Sequence, residues 1–500
     1  MPPRPTSRIT RRTLLTAAAL LPTTTGAQQQ LAVDPYAMTG GRRGGRQLGP
    51  VPITESDINV LSSQAADSTG PLDPKLANYM RLWIGKNAPG KCEFIWDLDV
   101  DRAGAYELRA LTRGEKPYGL SVSTTDGAVQ ADVGEKGWQR VNVGRIDLRS
   151  GKQTLRLTSD SPAFDLSALE LVRPAAWQTI QRQAQAIRSQ PDWFKDSGYG
   201  LMFQWTNRST PPSGPNKPWQ TKIRDFNLDR FVDLVEESGA AYVIWSITWG
   251  EQYISAPIRA LDDILPGRTT QRDLLGEMAE RLAQRNIKLI FYYHYGYDCY
   301  HSKDPAWMRA SGAGDPDRTA FYKNWQAIIG EVGERYGDKL AGWFLDGGQR
   351  YYDCHFDNTP NTGMTTAPFY DLTRTAKLGN PRRIVSYNPW ILPSLTPFED
   401  YLAGEGFRTF EGLNDGQFPN GPYAGLQAHS AFPLEKRWGH IDPDTKIEPP
   451  QYTADRLIQA IRTGRERRYP YSINLEMYED GSVSPQSRRL LSDVRSAIRG

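Results

Sequence analysis

Between residues 76 and 173 apolar and polar positions alternate in short runs. Glu93-Phe94-Ile95-Trp96-Asp97-Leu98-Asp99-Val100 is one, and Ala105-Tyr106-Glu107-Leu108-Arg109-Ala110-Leu111 another. Leu120-Ser121-Val122-Ser123, Thr154-Leu155-Arg156-Leu157 and Leu169-Glu170-Leu171-Val172 follow, with turn signals at Ala103-Gly104 and Ser150-Gly151. A period of two suits a half-buried strand, whose successive side chains point to opposite faces. No helical period interrupts these runs. They predict an all-β domain over 76–173, most simply a jelly-roll-like β-sandwich.

The rhythm then changes. Residues 175–190 read as a helix. From about 191 strand-like apolar runs alternate with helix-period segments: strands at Tyr199 to Trp205, Ala241 to Ile247, Ile287 to Tyr293, Leu340 to Leu345 and Arg383 to Tyr387, and helices at Leu228 to Ser238, Arg272 to Arg285 and Tyr322 to Tyr336. Apolar strands joined by helices predict a parallel sheet buried on both faces. The stretch 191–500 is long enough for a TIM-like (β/α)8 barrel with loop insertions. A doubly wound sheet is the alternative, but the chain carries no glycine fingerprint for a dinucleotide.

Upstream of the alternating runs, residues 28–75 are rich in Gly, Gln, Ser and Pro and read as a flexible linker. Residues 1–27 read as an export signal: a basic start from Arg8 to Arg12, a short apolar stretch from Leu14 to Leu21, and small residues at Thr25-Gly26-Ala27. The Arg11-Arg12 pair, followed by Thr13-Leu14-Leu15, is of the twin-arginine kind. An exported protein, periplasmic or extracellular, is expected. No apolar run is long enough to span a bilayer.

Composition narrows the classes further. The net charge of +3 is more than accounted for by the four arginines of the first 27 residues, which leaves the body near −1. A nucleic-acid footprint is therefore not expected. Three cysteines in 500 residues exclude a disulfide scaffold. Cys299 and Cys354 either pair outside the cytoplasm or stay as buried thiols, with Cys92 the odd one.

In a barrel of this kind, chemistry belongs just past the carboxyl ends of the strands. Those positions read Gln204-Trp205-Thr206-Asn207, Trp249-Gly250-Glu251-Gln252-Tyr253, His294-Tyr295-Gly296-Tyr297-Asp298, Asp346-Gly347-Gly348-Gln349 and Asn388-Pro389-Trp390. Aromatic faces stack on sugar rings, and amides and carboxylates bond their hydroxyls. Asp346 is the sharpest single residue, because the strand ends directly on it and two glycines follow. Such a carboxylate can attack an anomeric carbon, or it can cap the next turn. The five histidines form no zinc pattern; His294, Asp298 and His301 lie close in sequence without a known ligand spacing. Neither a phosphate-binding loop nor a nucleophile elbow occurs.

Over residues 192–487 the chain resembles the α-L-fucosidases of glycoside hydrolase family 29. The likeness is carried by Trp193-Phe194 with Tyr199-Gly200-Leu201-Met202-Phe203, Ser238-Gly239-Ala240-Ala241-Tyr242-Val243, and Pro266-Gly267 with Arg272-Asp273-Leu274-Leu275-Gly276-Glu277. Ile287-Lys288-Leu289-Ile290-Phe291-Tyr292-Tyr293, Trp343-Phe344-Leu345-Asp346-Gly347-Gly348, Trp438-Gly439-His440, Ile473-Asn474-Leu475 and Asp480-Gly481-Ser482-Val483 extend it in the same order. The 76–173 segment is similar to the jelly-roll carbohydrate-binding modules attached to glycosidases.

The resemblance implies Asp346 as nucleophile of a retaining exo-hydrolysis of a terminal α-linked sugar. Asp400-Tyr401-Leu402-Ala403-Gly404-Glu405 is similar in spacing to a family segment ending in the acid/base, which implies Glu405; Glu251 and Glu411 are reserves. Gln204, Trp205, Trp249, Glu251, Tyr253, His294 and Trp438 are expected to shape the pocket, with His440 a further hydroxyl contact. Two-carboxylate chemistry needs no cofactor, and the implied partner is an oligosaccharide or polysaccharide substrate.

The chain departs from the family at the sugar. Gln204 stands where a histidine usually precedes the first-strand Trp, and Ile247-Thr248-Trp249-Gly250-Glu251-Gln252-Tyr253 stands where a histidine-rich run is usual. A pocket built for one hydroxyl pattern rejects another. A galactose-like or other deoxy-sugar is therefore an alternative to L-fucose. A catalytically inactive glycan-binding protein is the alternative from another class.

Overall fold

The computed structural model describes residues 50–63, 66–73, 84–86, 88–114, 117–134, 136–161, 163–295, 304–313, 319–347, 367–389, 392–394 and 396–500. The leader 1–27 lies outside these residues.

The alternating runs form strands Cys92–Val100, Gly104–Gly114, Tyr118–Ser123, Gly151–Ser159 and Phe164–Val172. Two more, Ala128–Val133 and Gly137–Leu148, are rich in polar residues and lie at sheet ends, so their alternation is weak in the sequence. The strands make two six-stranded sheets. Phe94, Trp96, Leu155 and Leu157 from one and Tyr106, Leu108, Leu169 and Leu171 from the other share a single buried cluster. The rings of Phe94 and Phe164 meet edge to face at 6.4 Å across the sheets.

The linker expectation needs correction. Residues 51–73 carry short strands, Val51–Ile53, Asn59–Ser62, Asp67–Thr69 and Leu72–Asp73, that belong to these sheets. Their pairing partners lie far along the chain, Val51 opposite Leu98 and Leu61 opposite Leu169. Runs of two to four residues are too short to show a period, yet Ile53 and Leu61 are fully buried. The rest of the 28–75 segment lies outside the described residues.

Helix Pro174–Ile187 leads into the second half, where seven strands pair in parallel. Along the sheet they run Ile384–Tyr387, Leu340–Asp346, Lys288–His294, Tyr242–Thr248, Tyr199–Phe203, Tyr471–Leu475 and Ser430–Pro433. Side chains cap some of the helices between them. Asn227 accepts from the Arg230 N–H at 3.0 Å to start Leu228–Ser238, and Gly239 ends it at φ 71°. Asp273 starts Leu274–Gln284 by accepting from Gly276 N–H at 2.7 Å.

Alternate residues of each strand serve two cores. Leu201, Phe203, Val243, Trp245, Phe291 and Trp343 face the helices. Met202, Tyr242, Ile244, Ile290, Tyr292, Phe344 and Ile384 share an inner cluster, so the sheet curls into a half-barrel. Phe194, from the turn of helix Asp192–Lys195 before the first strand, plugs its amino end. Its ring meets Tyr242 at 5.1 Å, Tyr401 at 5.0 Å and His429 at 5.2 Å.

Between Ile384–Tyr387 and Ser430–Pro433 runs an irregular segment, Asp400 to Gly406. It bonds one neighbour through Asp400 N–H to Val385 O at 2.8 Å. It bonds the other side through Leu402 N–H to Gln427 O at 2.9 Å, Ala431 N–H to Gly404 O at 2.8 Å, and Gly406 N–H to Ala431 O at 2.8 Å. Gly404 has φ 68°, and a Cβ there would stand 2.0 Å from His429 O, so only glycine fits. The two halves of the chain touch at this level: Arg140, clamped by Glu170, donates to Ser394 O at 2.7 Å, and Arg109 lies 3.7 Å over the Trp177 ring. Among the described residues no helix is long and apolar enough to cross a membrane.

The Asp400 carboxylate is buried and accepts from Ser189 N–H and Val385 N–H, each at 2.8 Å, and from Lys377 Nζ at 2.8 Å. Asp400→Ala strands a buried ammonium and two amides, so denaturant unfolding should show a loss of about 3–5 kcal/mol. A loss below about 1 kcal/mol would contradict this placement of Asp400.

Candidate active site

Strand Leu340–Asp346 delivers Asp346 to its carboxyl end. Phe344 lies in the inner cluster and Trp343 and Leu345 in the helix-side core, so alternation turns Asp346 inward. Gly347 allows the turn that follows. It has φ 86°, and a Cβ there would lie 1.9 Å from the Tyr295 ring. Asp346 Oδ1 accepts from Gly347 N–H at 2.7 Å and from Asn388 Nδ2 at 2.8 Å. Its Oδ2 accepts from the Tyr292 hydroxyl, on the neighbouring strand.

Glu405 arrives on the irregular segment, between Gly404 and Gly406, and pairs with Ala431. Its Oε1 accepts from the same Asn388 nitrogen that serves Asp346. Two oxygens bonded to the two hydrogens of one amide lie ~5 Å apart. Burial, and then the Asp346 charge, push the Glu405 carboxyl up to about 7, against smaller opposing effects of Asn388 and Arg408. One carboxylate thus faces a carboxyl that holds its proton near neutral pH.

The expected pocket residues divide. Gln204 is buried beside the inner cluster and accepts from the Ser246 hydroxyl. Trp249 belongs to that cluster and Trp438 packs against it. Gly439 brings them together, since a Cβ there would meet Gln204 O at 2.7 Å and Trp249 at 2.9 Å. Glu251 is half-buried, pairs with Trp249 and accepts from Asn207 at 2.5 Å. His294 stands opposite Asp346 in register, its carbonyl held by Thr248 at 2.7 Å and Gln252 at 2.8 Å, its ring stacked on Tyr295.

Trp205 goes elsewhere. It continues the parity of Leu201 and Phe203 into the helix-side core, is 1% exposed, and donates to Tyr478 O at 3.1 Å. Its ring packs on Phe226 at 4.9 Å and Trp219 at 5.6 Å. Tyr253 sits on the same side, 6.2 Å from Trp219 and under Arg268 at 4.2 Å. The expectation that these two line the pocket is therefore corrected. Glu411 is exposed. His440 is buried with Nδ1 3.3 Å from Glu476. Asp298, Cys299, His301, Gly348, Gln349, Cys354, His355 and Trp390 lie outside the described residues.

The strand-end positions read from the sequence include Asn388, without a role, and do not include Tyr292. Tyr292 sits two residues before His294, so strand parity with Asp346 was available. Asn388 directly follows its strand, but its second contact depends on where Glu405 folds. Among the described residues no group of three or more His, Cys, Asp or Glu could hold a metal ion.

No family model matches this sequence, and no curated protein does. Among solved structures the chain is similar to a bacterial fucosidase bound to a monovalent iminocyclitol inhibitor, with 15% identity over 62% of this chain and 75% of that one, at a TM-score of 0.43. It is similar to an α-L-fucosidase from Lactobacillus casei in complex with α-L-fucose, with 16% identity over 61% and 96% and a TM-score of 0.41. A third is an α-L-fucosidase of glycoside hydrolase family 29 from Bacteroides thetaiotaomicron, trapped as a covalent intermediate, with 15% identity over 62% and 75% and a TM-score of 0.43. At TM-scores below 0.5 these likenesses assign neither a fold nor an activity.

After burial, the Asp346 charge is what pushes the Glu405 carboxyl up. In Asp346→Asn the Glu405 titration, followed by carboxyl carbon NMR, should move to lower pH. A titration that stays near 7 would contradict the pairing.

Proposed function

We propose that this protein is a retaining glycoside hydrolase, α-L-fucosidase-like, that removes a terminal α-linked sugar from a glycan. One observation carries the reading: Asp346 and Glu405 bond the same Asn388 nitrogen, with Glu405 raised to about 7. A separation of about 5–5.5 Å suits direct attack by one carboxylate, whereas inversion needs about 6.5–9.5 Å to admit a water.

In the first step Asp346 attacks the anomeric carbon and the glycosidic C–O bond breaks. Glu405 gives its proton to the departing oxygen. The product is a glycosyl ester on Asp346, and Glu405 is left ionised. In the second step Glu405 takes a proton from water, the hydroxide oxygen bonds the anomeric carbon, and the ester bond breaks. Both carboxyl groups return to their starting states. Gln204, Trp249, Glu251, His294 and Trp438 shape the sugar pocket in this reading. Gln204 and Trp249 stand where the fucosidases usually carry histidines, so a galactose-like or other deoxy-sugar is the alternative to L-fucose.

The same reading takes the sheet as part of a (β/α)8 barrel spanning 191–500. The hydrogen bonds of Asp400–Gly406 to both neighbours support this, with that segment in the sixth strand position. It takes the two N-terminal sheets, with their shared core, as a carbohydrate-binding-like sandwich whose first strands lie within 50–73. It takes residues 1–27 as a twin-arginine export signal, supported by Arg11-Arg12 before an apolar stretch.

A panel of aryl α- and β-glycosides tests the activity. Turnover of one α-glycoside is expected, lost in Asp346→Asn. Glu405→Gln should cost ~10²–10⁴-fold on substrates with poor leaving groups. The wild-type kcat/KM should fall as pH rises above about 7, because Glu405 then loses the proton it donates. Turnover that survives Asp346→Asn would overturn the assignment of the nucleophile.

A further inference from the structure

We infer that Asn388 is the positioning residue of this site: its one side-chain amide sets the spacing of the two carboxyl groups and decides which oxygen of Glu405 carries the proton. The inference rests on the proposed reaction for its meaning, but its geometry stands apart from it. Asn388 Nδ2 donates to Asp346 Oδ1 and to Glu405 Oε1. An amide nitrogen carries two hydrogens and no lone pair to accept with. Both bonds therefore require an acceptor oxygen on the carboxyl side.

The consequence falls on the proton. Glu405 Oε1 is taken as an acceptor, so the proton of the neutral acid resides on Oε2. That is the oxygen left to face a departing group. On Asp346, Oδ1 receives two donors, Gly347 N–H and Asn388, while Oδ2 receives the Tyr292 hydroxyl. Oδ2 is the less engaged oxygen and the one that attacks.

Two carboxyl groups so close, without a donor between them, would favour sharing one proton directly. In that arrangement either could be the acid. The Asn388 amide stands between them and favours the ionised form of Glu405. The charged groups facing Glu405 are Asp346, at the end of strand Leu340–Asp346, and Arg408, three residues on along the chain. Asn388 opposes the first and acts in the same direction as the second. Its place is fixed from behind, since its N–H donates to Leu345 O at 2.7 Å, on the strand that ends in Asp346.

The test compares wild type with Asn388→Leu and Asn388→Ala. The alanine adds neither charge nor bulk, so it carries the test should the leucine variant fail to fold. Carboxyl carbon NMR reads the Glu405 titration without any substrate. In both variants it should move to higher pH, by about one unit. With an active aryl glycoside, kcat should fall ~10–100-fold with KM within about twofold, and the alkaline limb should move up with the titration. A residue that only packs would leave the titration and the limb where they are. An unmoved or lowered Glu405 titration in both variants overturns the inference. A wild type that turns over no glycoside overturns the proposed reaction instead, and the NMR result still decides the role of the amide.

Discussion

The buried carboxylate of Asp400 is the interaction on which the site depends. It holds Val385 on one strand, Ser189 ahead of the first strand, and the Lys377 ammonium from below. These bonds seat an irregular segment against the edge of a regular sheet. Five residues later that segment presents Glu405 to Asp346. A regular strand would place its side chains by alternation alone. This one is steered by glycines at 404 and 406, both at positive φ, with His429 O too close to Gly404 for any side chain. The carboxyl pair is thus assembled from a rigid strand end and a segment pinned by one buried charge.

Electrostatics then separates the two acids. Both carboxyl groups meet the same amide, yet they do not share a fate. Asp346 collects donors from Gly347, Asn388 and Tyr292. Glu405 accepts from Asn388, is half-buried, and faces the Asp346 charge. Environments that push two carboxyl groups apart in this way are how a single site holds a nucleophile and an acid at once.

Much of this was legible in the chain. Five of the seven barrel-half strands are apolar runs between helices, readable to within a residue or two, whereas Ser430–Pro433 and Tyr471–Leu475 were not among the expected strands. Strand parity also carried more than it was asked for. Gln204 and Trp205 are neighbours, but only Gln204 shares the inward parity of Met202, and Trp205 follows Phe203 to the helices. Reading both as pocket residues ignored that alternation. Other features were not legible for a physical reason. The strands at 51–73 are two to four residues long and take their order from partners elsewhere in the chain, from Ile84–Lys86 to Phe164–Val172. The segment Asp400–Gly406 has no period, because glycine conformations and isolated bridges replace a ladder. The double contact of Asn388 exists only once that segment is in place.

The central claim is that Asp346 becomes covalently bound to the sugar. The most direct measurement is mass spectrometry of the protein after reaction with the 2-deoxy-2-fluoro glycosyl fluoride of the sugar it hydrolyses. The account predicts one added glycosyl unit, with the label on the peptide that contains Asp346 and absent from Asp346→Asn. A label on another carboxylate, or hydrolysis of the reagent with inversion and no label, would contradict it.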